Sequence, residues 1–458
     1  MRGMVTRRSL LAAAPALLAC SNKEAVRAAD KRPNLLFLFP DQWRFDWTSF
    51  TPGLDVRTPA LEEIAQRGVR FTNALCPSPL CAPSRACLAL GVEHHKSPVP
   101  DNRANLPLDR PNLYRSLQTA GYHVMGCGKF DLHKATEDWG LDGKRLLPEW
   151  GFSDGIDNAG KFDAIRSGAV TPKDPFMAML HRRGLAEAHV KDYRGRHHFT
   201  STHPTPLPDN AYCDNWIGQN GLDLLERAPA DKPWYLSVNF AGPHDPMDIT
   251  STMEKGIRDR KFAGPVHSTE FDAETHQRIR QNYTAMVENL DRWTARYIDY
   301  LKERGQYENT LIVISSDHGE MLGDHNLWKK RQPHQPSIGV PLVIAGPGVS
   351  PERVVDHPAT ILDLTATWLD YAGAQPLPGM DSRTLRPVLE SRVNANRDAA
   401  LSALGDWRVA FDGRFKLVRR TGQPDQLFDM KDDPTESTNV AAKSPQHMHR
   451  LSAYLAQG

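Results

Sequence analysis

Four short apolar runs of this sequence each stop at side chains able to bind a cation or carry charge. Asp41-Gln42, Lys129, His244 and Asp317-His318 supply two carboxylates, an amide oxygen, two imidazoles and an ammonium group. Asp41, Gln42 and Asp317 are hard oxygen donors of the kind that hold a divalent ion such as Ca²⁺. The nitrogen of His318 moves the set toward Mn²⁺ or another transition ion. Asp and Gln at strand ends are also ordinary turn and cap residues, a reading that serves any one of these sites better than all four together. Cys81 stands just before Pro83-Ser84, where a helical pattern begins that runs to Gly91. A helix N-terminus offers free N–H groups and positive dipole, which suit an anionic group or an anionic nucleophile. Arg85, one turn in, is placed to neutralise a bound oxyanion through two parallel hydrogen bonds. The plainer reading of Cys81 is a small buried hydrophobe. A tyrosine-phosphatase loop would need Arg six residues after the nucleophile, and position 87 is Cys.

In an open α/β sheet, ligands bind beyond the carboxyl ends of the strands, so the elements must place these residues there. Leu35–Phe39 is a continuous apolar run, as expected of a strand buried on both faces. Further strands are expected at 122–127, 234–240 and 311–315, ahead of Lys129, His244 and Asp317. Thr58-Pro59 reads as an N-cap and first helical residue, with Gly68 as the stop. A long helix is expected over about 275–304, where Ile279, Tyr283, Met286, Leu290, Trp293, Tyr297 and Leu301 keep helical spacing. The pattern indicates an α/β class on a largely parallel sheet. Residues 138–232 show weak periodicity and read as long loops over the sheet edge, a place for substrate selectivity. From about 397 the pattern changes to strands. Asp412-Gly413 there is expected to form a type I′ hairpin turn, and a short helix is expected near Leu451.

The chain has 458 residues, 24% charged and 40% hydrophobic, inside the globular range. Its formal charge is +1, and −3 without residues 1–29. So neutral a body argues against nucleic-acid binding, which calls for a strong basic excess. Residues 1–29 read as an export signal: Arg7-Arg8 resemble a twin-arginine signal, and the apolar run Leu10–Ala19 is too short to span a bilayer of about 30 Å. Leu17-Leu18-Ala19-Cys20 resembles a lipoprotein cleavage box, so the expected location is periplasmic or tethered at the envelope by a lipid on Cys20, the one membrane contact expected. Among the six cysteines no Cys-x-x-Cys pair occurs, which makes a zinc ribbon or thioredoxin-like site a poor fit.

Cys81-Ala82-Pro83-Ser84-Arg85 resembles the Cys-x-Pro-Ser-Arg signature of the type I, formylglycine-dependent sulfatases of the alkaline-phosphatase-like superfamily. Pro33–Leu36 leading to Asp41-Gln42, Gly242–Pro246, Ser316–Glu320 and Gly323–Lys330 are similar to sulfatase motifs in the same order. The 427–439 segment is similar to the family's small second domain. The resemblance covers nearly the whole chain after the signal. It implies a large mixed, mostly parallel sheet sandwiched by helices (30–396) and a smaller C-terminal α+β unit with a short antiparallel sheet (397–458). It also implies that a separate maturase oxidises Cys81 to Cα-formylglycine, whose hydrate attacks the sulfur of a sulfate ester. Asp41, Gln42, Cys81, Asp317 and His318 would hold the ion, Ca²⁺ first, with Mn²⁺ or Mg²⁺ as alternatives. Arg85, Lys129 and Lys330 would contact sulfate oxygens, and His244 would act on the leaving oxygen.

This sequence departs from the family pattern in places. The histidine often found two residues after the lysine is Asp131 here; His133 either takes over its role of assisting the diol or is a surface histidine. Gln42 and His318 replace the Asp and Asn of many sulfatases, a set similar to choline-sulfatase-like enzymes and phosphonate monoester hydrolases. Of the adjacent lysines, Lys330 aligns with the motif and Lys329 reads as solvated. His94-His95, His197-His198, Arg194 and Arg196 read as solvated loop charge rather than as contacts to an anionic sugar. The leading expectation is an exported sulfatase acting on a sulfated carbohydrate. The rivals are a phosphonate monoester or phosphodiester hydrolase with the same nucleophile, and a non-catalytic, lipid-anchored glycan-binding protein.

Overall fold

The computed structural model describes residues 32–456; the expected export signal, with Cys20, lies outside them. An eight-stranded sheet runs in the order Asp154–Asp157, His123–Gly128, Trp234–Asn239, Asn34–Leu38, Thr310–Ser315, Leu342–Ala345, Gly68–Phe71, Arg353–Val355. Leu342–Ala345 pairs antiparallel with both of its neighbours, and the other pairings are parallel. Asn34–Leu38 lies between Trp234–Asn239 and Thr310–Ser315. Its side chains alternate between two cores: Leu36 and Leu38 pack with Ile217, Leu224, Tyr283 and Leu290, and Leu35 and Phe37 with Ala86, Leu88, Leu364 and Trp368. A strand with helices on both faces has no polar side to show, which explains its unbroken apolar run.

The long helix spans Ala273–Glu303, capped by Asp272, whose carboxylate accepts from Thr275 N at 2.7 Å. Helix Pro59–Arg67 is capped from outside. The Thr58 side chain makes no cap bond; Asp291 of the long helix accepts from Ala60 N and Leu61 N at 3.0 and 2.9 Å. Gly68 does not end that helix in a left-handed turn but opens the next strand.

Two expectations are corrected. Residues 138–232 are not mainly loops: they hold Leu147–Trp150, Lys161–Gly168, Pro175–Arg182, Ala186–Gly195 and Cys213–Glu226 as helices, besides the edge strand Asp154–Asp157. These helices are mostly short, and Gly and Pro fall at their ends, so a window of ordinary length averages across two of them. The Asp412-Gly413 turn is also longer than two residues. Phe411 pairs with Lys416, and Asp412 Oδ1 accepts from Arg414 N and Phe415 N at 2.8 and 2.7 Å, closing a wider loop.

The C-terminal antiparallel sheet runs Ala400–Leu404, Trp407–Phe411, Phe415–Arg420, Gln426–Asp429, with helix Pro445–Leu455 against it. Val409, Phe411 and Val418 join the core that covers one face of the large sheet. Among the described residues no helix is long and apolar enough to cross a membrane.

Candidate active site

The carboxyl ends of the two central strands meet the N-terminus of helix Cys81–Leu90. Asp41 follows the first strand and Asp317-His318 follow Thr310–Ser315; Cys81 is the first residue of the helix, which Gly91 closes at φ 67°. One donor atom each from Asp41, Cys81, Asp317 and His318 lies within 4.8 Å of the others, and all four residues are buried. Cys81 Sγ is 3.3 Å from His318 Nε2 and 3.9 Å from Asp41 Oδ1, and His318 Nε2 is 3.6 Å from both Asp41 Oδ1 and Asp317 Oδ1. Gln42 has φ 70°, a left-handed conformation that costs a non-glycine residue about 1–3 kcal/mol. Its N–H is held by Asp317 Oδ1 at 3.1 Å and its carbonyl by the Tyr283 hydroxyl at 2.6 Å.

Two carboxylates that sequence reading did not single out fix the Gln42 amide. Its Nε2 donates to Glu320 Oε2 and, at 3.2 Å, to Asp245 Oδ1, so Oε1 is the end turned to Lys330 Nζ. Glu320 also accepts from Leu322 N and Lys329 N. Both lie within quoted motifs, three residues after Asp317 and one after His244, but type and spacing gave no sign that they would converge on Gln42.

The electrostatics are those of buried acids set among lysines and histidines. Burial raises Asp317, and Asp41 beside it raises it further. Burial also works against Asp41, yet Lys129, His244 and His318 outweigh it and hold the group well below the usual carboxylate range. Burial and Asp41 push the Cys81 thiol up, but Lys129, Lys330 and His318 prevail and bring it well below an ordinary thiol. The niche therefore favours negative charge on the side chain of residue 81. Two carboxylates and an imidazole converge with the Cys81 side chain in a buried space, a set that fits a divalent ion, while Gln42 Oε1 beside it is engaged by Lys330 Nζ.

Arg85 does not take the place expected of it. Its guanidinium is spent on Asp317 Oδ2 at 2.9 Å, Asp41 Oδ2 at 3.4 Å and the Lys129 carbonyl at 2.5 Å, behind the cleft. It clamps the two carboxylates because the parallel hydrogen bonds it can make are taken up by them. Lys129 follows Gly128, where a Cβ would lie 2.0 Å from the Asn239 carbonyl; its Nζ pairs with Asp41 and, at 3.2 Å, with Asp131. His133 fits neither of its two expectations. It is buried, its Nε2 is 2.9 Å from Asp157 Oδ2, and its ring lies against Trp139 and Trp150.

A cleft of about 210 Å³ opens over Cys81, lined by Lys129, His244 and Lys330 among others. Lys330 Nζ is 2.7 Å from His244 Nε2. Lys329, at φ 66°, turns the chain so that both adjacent lysines face the cleft, where an extended strand would alternate them. Lys134, Lys161, Phe162 and His198 also line it, and all four fall within or beside the segment that weak periodicity had marked as loop. Lys161 donates to the His244 carbonyl at 3.0 Å and to Asp248 at 2.7 Å, which fixes the backbone under His244. Arg196 is buried against Asp192, while Arg194 is exposed.

This arrangement is that of an alkaline-phosphatase-like hydrolase. A family model described as Sulfatase matches residues 33–374, and one described as N-sulphoglucosamine sulphohydrolase, C-terminal, matches residues 323–457. The chain belongs to the sulfatase family and is a sulfuric ester hydrolase. It is 28% identical to a choline-sulfatase from Rhizobium meliloti over 460 residues, 92% of this chain and 85% of that one. It is 24% identical to an N-acetylglucosamine-6-O-sulfatase from Bacteroides thetaiotaomicron over 491 residues, 94% and 86% of the two chains. The crystal structure of the phosphonate monoester hydrolase of Agrobacterium radiobacter matches with TM-score 0.76 at 26% identity, covering 93% of this chain and 95% of that one.

Proposed function

We propose that the protein is an exported sulfatase acting on a sulfated carbohydrate, with Cys81 converted by a maturase to Cα-formylglycine as the nucleophile. The observation that carries this reading is the position of Cys81. It opens a helix, its side chain lies among Asp41, Asp317 and His318, and it sits in a niche that stabilises an anion there. Asp41, Gln42, Asp317 and His318, with residue 81, would hold one divalent ion, Ca²⁺ first because oxygen donors predominate. When bound, that ion supplies Lewis-acid charge beside residue 81 and the sulfate.

The chain's own residues divide the remaining work. Lys129 keeps Asp41 ionised, and Arg85 helps hold it in place. Lys129 and Lys330, both lining the cleft, present N–H donors to sulfate oxygens, where low dielectric strengthens such contacts. His244, whose Nδ1 donates to the Asp245 carbonyl and whose Nε2 accepts from Lys330 Nζ, is oriented to relay a proton from the Lys330 ammonium to the departing alcohol oxygen. Residues 30–396 carry this chemistry, and 397–458 form a smaller unit that closes one side. A signal over 1–29 delivers the protein to the periplasm or, through Cys20, to the envelope.

The 26% identity to a phosphonate monoester hydrolase favours a second reading, in which the same nucleophile cleaves phosphorus esters. Rates on matched aryl sulfate, phosphate monoester and phosphonate monoester substrates, with protein expressed beside a maturase, separate the two. The sulfate ester is expected to be fastest and Cys81→Ala inactive on all three. A faster phosphonate reverses the assignment.

A further inference from the structure

Beyond the groups already assigned, the mouth of the cleft is formed by Phe162, His198, Lys134 and Lys329. Its acids face the wall. Asp245 Oδ2 takes His198 Nδ1 and, at 3.5 Å, Lys329 Nζ, while Oδ1 takes Gln42 and His244. Lys134 is held by Asp131 and Asp163 at 3.0 and 2.6 Å. What solvent meets most is therefore the Lys329 ammonium and the outer edge of the His198 ring. The side chains of His198 and Lys329 are 41% and 42% exposed, and that of Asp245 is 0%. Lysine offers three donors and no acceptor. The Phe162 ring lies 4.2 Å from the His198 ring, which sets a flat apolar surface beside the donors. A quaternary ammonium calls for an aromatic cage, and one phenyl ring flanked by lysines is unsuited to it.

We propose that this mouth is a leaving-group subsite for an anionic sugar. The sugar ring rests at Phe162 and the His198 ring, and a carboxylate or second sulfate on it accepts from Lys329 Nζ. The inference rests on the sulfatase reading and narrows its substrate to sulfated sugars carrying another negative charge, away from choline sulfate. The solvated reading of His198 and Lys329 is replaced by this one, because both are anchored by one buried carboxylate and neither swings free.

The test is steady-state kinetics of the matured protein on four compounds: a sugar monosulfate, the same sugar with a second sulfate, the corresponding uronic acid monosulfate, and choline sulfate. At least one dianionic sugar is expected to exceed the monosulfate in kcat/KM by about tenfold, the scale of a charge-assisted hydrogen bond, with choline sulfate the poorest. Lys329→Gln should erase most of that ratio through KM, and Lys329→Arg should restore part of it. His198→Gln, which removes the ring packed on Phe162 and contacting Lys329 Nζ, should also reduce the ratio. Which dianion gains shows whether the subsite takes carboxylate or sulfate. Equal rates on monosulfate and dianions, preference for choline sulfate, or a ratio unmoved in both variants would overturn the subsite alone. Turnover of no sulfate ester would overturn the sulfatase reading with it.

Discussion

The floor and the mouth of the cleft are made differently. The floor hangs from the ends of two central parallel strands and one helix start, with each side chain fixed by several partners. Asp317 alone engages Arg85, the Gln42 N–H and His318. The mouth is assembled from short helices and turns far apart in sequence, around residues 134, 162, 198 and 329, with exposed lysine and histidine heads. A rigid sheet edge suits groups that must hold an ion and a nucleophile to a fraction of an ångström. Loops and short helices suit groups that choose among leaving groups, since they change without disturbing the strands.

Variants at the floor should therefore damage kcat for every substrate, while those at the mouth act on KM for some. The largest effect is expected from Cys81→Ala, a loss of at least about 10⁴-fold in kcat, read with an aryl sulfate. Chelation should follow, lowering activity about 100-fold or more and also the melting temperature, with added Ca²⁺ restoring both. Glu320→Gln is the sharper probe. It leaves every proposed ligand in place but turns an NH₂ toward the Gln42 amide, and a loss of about 10–100-fold is expected, as for other supports of metal ligands. If Glu320→Gln changed KM for one substrate and spared kcat, the division between floor and mouth would fail.

The smallest effects lie away from both regions. Asp291→Ala removes the cap on helix Pro59–Arg67 and should cost about 1–2 kcal/mol in chemical denaturation. Burial pushes the Asp291 carboxyl up to about 6, against the pull of the Ala60 and Leu61 N–H groups. Between about pH 4, its unfolded value, and pH 6 the folded form holds a proton that the unfolded form has lost. Stability from this group therefore falls as pH rises through that window, by up to about 2–3 kcal/mol. Asp291→Asn should flatten the slope in denaturation midpoints across that range.

How much of this was legible in the sequence follows the same division. The strands ending at Asp41, Lys129, His244 and Asp317 stood out because doubly buried strands are continuous apolar runs, and their polar ends mark the sheet edge. The helix opening at Cys81 was marked by Pro83-Ser84 and Gly91. Glu320 and Asp245 carry no such mark, because a buried carboxylate's partner is set by tertiary approach, which local spacing does not encode. The signature alone points Arg85 at sulfate, whereas in the fold two carboxylates take up its charge. His133 reads from spacing as a diol partner or a surface group, while Asp157 and two tryptophans draw it into the interior. Lys134, Lys161 and His198 were hidden because short helices bounded by Gly and Pro blur periodicity.

The most direct test is mass spectrometry of the peptide containing residue 81, from protein produced with and without a maturase, alongside turnover of each preparation. The account predicts an aldehyde at that position in active protein and a rate that scales with the fraction converted. Full activity in protein that keeps a thiol at residue 81 would contradict it.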